Sequence, residues 1–177
     1  MSVKIDYSLI KLAKLSEEHF SDLANFDCGD EEMNRFLKEE AYNEQEMGMN
    51  TTTLLYYDNV LAAFCSICND SVLLHKDEKE ELPYANVPAI KIARLGRDKK
   101  FRNYQLGRFL IDYVVWVALK IDKEMCGVRL ITLDAYPERV KYYQDYGFVI
   151  NQHDNYKRRK SPNISMRYDI YKNNSKS

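Results

Sequence analysis

Apolar residues recur with two different periods along this chain, and each change of period separates helices from strands. The spacing of Leu106, Phe109, Leu110, Tyr113, Val114, Val117 and Ile121 predicts a long helix with one apolar stripe, closed by Gly127. A shorter stripe of Met33, Phe36, Leu37 and Ala41 follows Asp30, a capping residue, and Glu31 and Glu32, which suit the positive end of a helix. Its simplest role is to face the core, with a partner-binding face as the alternative. Ser16 before "EEHFSDLANF" predicts another, short helix. The β-rich runs "IDYSLIKLAKL", "TTTLLYYD", "NVLAAFCSICNDSVLL", Val87 to Arg97 and "VRLITLDAY" predict strands, with a hairpin turn at Asp58 and Asn59. The polar stretch from His75 to Pro88 reads as a loop. The elements predict one α/β domain over residues 1–172 and a polar tail over 173–177, with the whole stretch "YKNNSKS" expected to be frayed.

Composition narrows this picture. A chain of 177 residues with 45% hydrophobic content can bury a single core. Lys and Arg number 26 against 27 Asp and Glu, so any basic site must be local. The N-terminus has no apolar core of signal-peptide length, and the longest apolar run, Tyr113 to Leu119, is too short to cross a bilayer. The expectation is a cytoplasmic protein without membrane attachment. Four cysteines are too few for a disulfide framework. Cys65 and Cys68, in "CSIC", sit on a strand, where positions three apart point to opposite faces and cannot chelate one ion. His19, His75 and His153 lack ligand or triad spacing and read as surface residues. No metal is expected.

The chemistry concentrates where the Val87 to Arg97 strand meets the long helix. The loop "FRNYQLGRFL" delivers free backbone N–H groups at a positive helix end, with Lys99, Lys100, Arg102 and Arg108 around it, a plausible anion site. Arg102, Gln105 and Gly107 fall on the Q/R-x-x-G-x-G/A pattern of the GNAT N-acetyltransferases, which this loop resembles; Gln105 stands where the pattern has its middle glycine. "YYQDYGF" is similar to that family's "FYxxxGF" ending, and "FDCGDEEMNRFLKEEA" resembles the "FxCGxxxLxxFLxxxA" helix of members related to bacterial toxins that acetylate aminoacyl-tRNA. Tyr136 and Pro137 occupy the place of an asparagine frequent after the late strand.

The resemblance implies a GNAT-like fold, α/β with a mostly antiparallel twisted central sheet flanked by helices. It implies acetyl-CoA as co-substrate, with Leu95, Gly96 and Arg97 holding the pantetheine arm. Arg102, Asn103, Tyr104, Gln105, Leu106, Gly107 and Arg108 would hold the pyrophosphate. Tyr143 matches the tyrosine that protonates the departing thiolate. The implied reaction is acetyl transfer to a primary amine. The aminoacyl group of charged tRNA is an alternative acceptor, and a non-catalytic CoA-binding module is an alternative of another class. A homodimer and an antitoxin partner are compatible with it. Asp134, near the late strand's end, is a candidate base or a helix cap, and the base is left open. "YKRRKSPN", with four basic residues beside a tyrosine, is expected in the last hairpin's loop, either solvated or touching RNA phosphates.

Overall fold

A computed structural model describes residues 3–78 and 82–174. The middle of the His75 to Pro88 loop, residues 79–81, and the tail beyond 174 lie outside the described residues.

The strands are β1 (Ile10–Lys14), β2 (Thr51–Tyr57), β3 (Val60–Leu73), β4 (Asn86–Arg97), β5 (Leu130–Ala135), β6 (Val149–Ile150) and β7 (Ile164–Asp169). They form one sheet in the order β1-β2-β3-β4-β5-β7-β6. The β1–β2, β2–β3, β5–β7 and β6–β7 pairs are antiparallel, whereas β4 and β5 run parallel from Ala89↔Leu130 to Lys91↔Thr132. This is the mostly antiparallel α/β sheet expected from the sequence. The helices are α1 (Phe20–Leu23), α2 (Glu31–Arg35), α3 (Ala41–Glu46), α4 (Leu106–Glu124), α5 (Val140–Tyr146), α6 (Asp154–Lys157) and α7 (Ile170–Asn174). The chain divides into two compact units, one of residues up to Cys68 with Ile92–Val114, the other of Asn69–Lys91 with Val115 onward.

In the first unit, Asp58 and Asn59 both take positive φ, 50° and 61°, the twist a two-residue hairpin between β2 and β3 requires. Phe64 on β3 anchors the core, edge-on to Phe26 at 5.5 Å and stacked on Phe36 at 6.3 Å. Leu37 and Ala41 are buried in the same cluster and Met33 packs against it, so the short stripe faces the core. Its helix is not continuous: a π-helical turn, Phe36–Glu40, separates α2 from α3. Nor does the first strand run from Ile5, because Asp6 Oδ1 accepts the Ser8 N–H and turns Tyr7–Leu9 into a 3-10 helix.

A carboxylate knot ties the "FDCGD" segment to the start of the basic loop. Asp98, 2% exposed, accepts the Asp27 N–H at 3.0 Å and the Lys100 N–H at 2.8 Å, while its own N–H donates to Ala62 O. Lys99 N–H donates to Asp27 O, and Lys99 Nζ lies 2.7 Å from Asp27 Oδ2. Asp27 Oδ1 accepts from Gly29 N–H and Asn34 Nδ2. Gly29 sits at φ +86°, where a Cβ would also come within 3.1 Å of Lys99 Cε. The Lys99 ammonium, then Asn34 and the Gly29 N–H, hold the Asp27 carboxyl well below the usual carboxylate range.

The second unit has its own cluster of Val72, Leu74, Val87, Ala89 and Leu130, with Leu82 and Tyr156 against it. Arg129 pairs with Asp169 at 2.9 Å, and Asp169 Oδ1 accepts the N–H groups of Tyr171 and Lys172, starting α7. Four residues of the expected frayed tail, Tyr171 to Asn174, are therefore helical. The long helix α4 buries Leu106, Leu110, Ile111, Val114, Val115 and Ala118, a ridge rotated from the predicted stripe, whose Phe109, Tyr113, Val117 and Ile121 are only half-buried. It ends at Glu124, and Gly127 lies beyond it; Asp122 Oδ1 accepts the Val128 N–H instead.

A Cβ at Gly96 would stand 2.5 Å from Phe64 Cε1. Gly96→Ala is thus expected to lower stability by about 1–3 kcal/mol through overpacking, with Phe64→Leu in the same chain recovering part of the loss in denaturant titrations. Asp27 supplies a pH dependence of defined sign. Its folded pKa lies below the ordinary 3.8, so its stabilisation is complete above that pH and is lost as pH falls toward the folded value. The difference in Tm between the native chain and Asp27→Asn should therefore shrink as pH is lowered from about 6 to about 2.

Candidate active site

In the loop from Asp98 to Gln105, six of the eight carbonyl oxygens accept hydrogen bonds from the protein. Asp98 O accepts from Phe101 N–H, Lys99 O from Arg102 N–H and Phe101 O from Tyr104 N–H. Asn103 O accepts from Val3 N–H, Tyr104 O from Arg97 Nη1 at 2.9 Å, and Gln105 O from Phe109 N–H. Against this, the N–H groups of Leu106 and Gly107, at the start of α4, have no acceptor among the described residues. Three rings support the loop from within: Tyr104 lies 5.1 Å from Tyr57 and 5.6 Å from Phe101, and Tyr57 Oη accepts the Asp6 N–H. The side chains of Arg102, Asn103, Gln105 and Arg108 are exposed. A helix start with open donors, mostly engaged acceptors and exposed cations fits a diphosphate, and Gln105 is exposed rather than packed into the loop.

Leu95, Gly96 and Arg97 end β4 directly before this loop. Gly96 is required there by Phe64 on its flank, and Arg97 is the side chain that closes the Tyr104 carbonyl. Sequence reasoning singled out the loop's own residues but missed Asp27 and Asp98, which hold it. The capping signal of an Asp before "KKF" was available: Asp98 Oδ1 caps the 3-10 turn Lys99–Phe101.

Tyr143 belongs to the second unit, on α5. Its carbonyl accepts the N–H groups of Gly147 and Phe148, and its ring meets Tyr142 at 5.2 Å and Phe148 at 5.7 Å, both edge-on. Burial first, then Tyr142, pushes the phenol up to about 12, against the opposing charge of Arg139. The hydroxyl carries no hydrogen bond to any described residue. It is therefore a neutral acid whose proton is uncommitted.

Asp134 is not free to serve as a base or a helix cap. Lys91 Nζ lies 2.6 Å from its Oδ2 and Arg159 Nη1 3.1 Å from its Oδ1. Arg159 comes from "YKRRKSPN", which does lie between β6 and β7 but is not simply solvated. Tyr156 Oη accepts the Leu73 N–H at 3.0 Å, and the Arg159 guanidinium stacks 4.9 Å over the Tyr156 ring.

The histidines depart from the surface reading. All three are half-buried, and in each the Nδ1 accepts a backbone N–H: Ser16 to His19, Asp77 to His75, Asn155 to His153. They serve local turns, a use that spacing does not reveal. Cys65 is buried on β3 with its thiol pushed up to about 12 by burial, and none of the four cysteines is in a disulfide. Among the described residues no group of three His, Cys, Asp or Glu gathers to hold a metal, and no helix is long and apolar enough to cross a membrane.

No protein-family model matches the chain. Among solved structures, a tyrosine-to-phenylalanine mutant of KacT matches with a TM-score of 0.77 at 21% identity, over 93% of this chain and 96% of that one. AtaT complexed with acetyl-methionyl-tRNAfMet matches with a TM-score of 0.78 at 18% identity, over 92% and 96%. A tyrosine-to-phenylalanine mutant of the AtaT toxin, bound to the C-terminus of the antitoxin AtaR and acetyl-CoA, matches with 0.74 at 16% identity, over 93% and 95%. At these identities the likeness is one of architecture: this chain has the fold of KacT and AtaT, the GNAT-like fold its sequence motifs implied.

Proposed function

We propose that residues 1–172 form an acetyl-CoA-dependent N-acetyltransferase acting on a primary amine. The observation that carries this reading is the asymmetry of the loop before α4, where six of the eight carbonyls from Asp98 to Gln105 accept hydrogen bonds while the Leu106 and Gly107 N–H groups are left open. Arg102 to Arg108 would hold the pyrophosphate of acetyl-CoA, and the main chain of Leu95 to Arg97 the pantetheine arm. The fold shared with AtaT, which has been seen bound to acetyl-CoA, supports the same cofactor.

In the reaction a neutral amine attacks the thioester carbonyl carbon, the C–S bond breaks, and the thiolate takes the Tyr143 hydroxyl proton. Water carries away the amine proton and restores the phenol, since both Asp134 oxygens are committed to cations. A main-chain N–H donor aimed at the oxyanion is worth about 3 kcal/mol. Burial keeps the Tyr143 phenol in its protonated form, so the proton is present to be given.

One observation favours a narrower acceptor. AtaT shares this fold and has been seen with acetyl-methionyl-tRNAfMet, which supports the aminoacyl end of charged tRNA as the amine here. The structure of AtaT with the antitoxin AtaR supports an antitoxin as partner in the same way.

Acetyl-CoA at about 100 times its Kd should add about 2.7 kcal/mol and raise Tm by about 5–10 °C, and Gly107→Glu should abolish the shift. A native chain with no shift at millimolar concentration overturns the proposal. Tyr143→Phe should keep that shift and its own Tm while turnover falls about 10²-fold or more. Full turnover in the Phe variant, with chemistry rate-limiting, would remove Tyr143 from the mechanism. A retained shift without transfer to any acceptor, charged tRNA included, would favour the non-catalytic CoA-binding module.

A further inference from the structure

We propose that the segment Lys157 to Lys160 is a docking surface for the phosphodiester backbone of an RNA acceptor. This rests on the charged-tRNA reading above and adds where the polyanion would lie. The segment is pinned at three points, all in the second unit: the Tyr156 hydroxyl on the Leu73 N–H, the Arg159 guanidinium over the Tyr156 ring, and Arg159 Nη1 on Asp134 Oδ1. Tyr156 itself packs against the Val72, Leu74, Val87, Ala89 and Leu130 cluster. One cation of the four is thus spent as an anchor, and Lys157, Arg158 and Lys160 remain exposed on a held stretch of chain.

Arg158 reaches Asp154 at 3.6 Å, but its side chain is 82% exposed, and a surface pair of that kind is readily exchanged for a phosphate. The pinning also places the segment usefully. Asp134 lies on β5, which ends at Ala135, and the chain continues through the 3-10 turn Pro137–Arg139 into α5 and Tyr143. The chemistry of the surface selects its partner. Within the segment itself and its flanks from Ile150 to Ile170 no large apolar side chain is exposed, so the segment offers charge rather than an apolar anchor. Adjacent, held cations suit a chain of phosphates.

The test is fluorescence anisotropy of labelled, deacylated tRNA between about 50 and about 200 mM salt. Each lost phosphate contact lowers the log–log salt slope by about one, so Lys157→Gln/Arg158→Gln/Lys160→Gln should flatten it by about two to three and weaken binding at low salt about 10-fold or more. Its acetyl-CoA Tm shift should equal that of the native chain. Asp134→Asn keeps all four cations and removes a negative charge, yet should weaken tRNA binding by freeing the anchor. Binding by Asp134→Asn as tight as native, or tighter, overturns the pinned geometry. If the triple variant binds tRNA with native affinity and slope while the native chain acetylates charged tRNA, the surface is elsewhere and the tRNA reading stands. If the native chain neither binds nor acetylates charged tRNA but turns over a small amine, the reading fails and this surface with it. Equal binding of polyglutamate or of anionic lipid vesicles at the same salt overturns the assignment to RNA.

Discussion

The buried carboxylate of Asp98 is the constraint on which the arrangement of the first unit depends. An ionised group at 2% exposure is costly unless its oxygens are fully engaged, and here they accept the N–H groups of Asp27 and Lys100. Those two donors come from opposite sides of the feature they define. Asp27 opens the turn that leads into α2, and Lys100 lies in the turn that leads to α4. Satisfying one buried charge therefore fixes two loops against each other, and Lys99 fastens them a second time through the Asp27 side chain. "FDCGD" and "DKK", residues 98–100, far apart in the chain, are two halves of one local structure.

The second unit is organised by ion pairs and polar bonds along one face of its strands. Thr132, Asp134 and their β7 partners Arg167 and Ser165 alternate with the buried Ile131 and Leu133. Asp70 binds Thr132, Lys91 and Arg159 bind Asp134, and Arg167 joins Glu78 at 2.6 Å to Asn151 at 2.9 Å. Such a face is expensive to desolvate and is held by mutual satisfaction rather than by packing. It contrasts with Tyr143, on α5 of the same unit, whose surroundings are aromatic and whose hydroxyl is left to its own chemistry.

The parts of this fold that could be read from the chain were those governed by local rules. The Asp58–Asn59 hairpin, the cap at Asp30, the strands, and the loop-to-helix junction at Leu106 all follow from residue preferences within a few positions. What could not be read depended on partners remote in sequence. The buried ridge of α4 is set by what surrounds it, so Ile111 and Ala118 replace Phe109 and Val117 at the same period. Asp134 was a plausible base only until Lys91, 43 residues away, and Arg159, 25 away, were found on it. The three histidines act through a single ring nitrogen on a nearby N–H, which leaves no spacing to detect. Gly96 was marked by its place in a motif, whereas its physical necessity lies in Phe64, on another strand.

An anion seat made of main-chain donors has a property that side-chain seats lack. The N–H groups of Leu106 and Gly107 are main-chain amides, so their capacity to donate does not change with pH. Affinity at such a seat would follow only the ionisation of the ligand's own phosphates. Where main chain makes the contact, the identity of residues 103 and 105 would matter little to it. A glutamine at position 105 is then one of many tolerated choices, and the loop's function would be invisible to a search that looks for particular side chains.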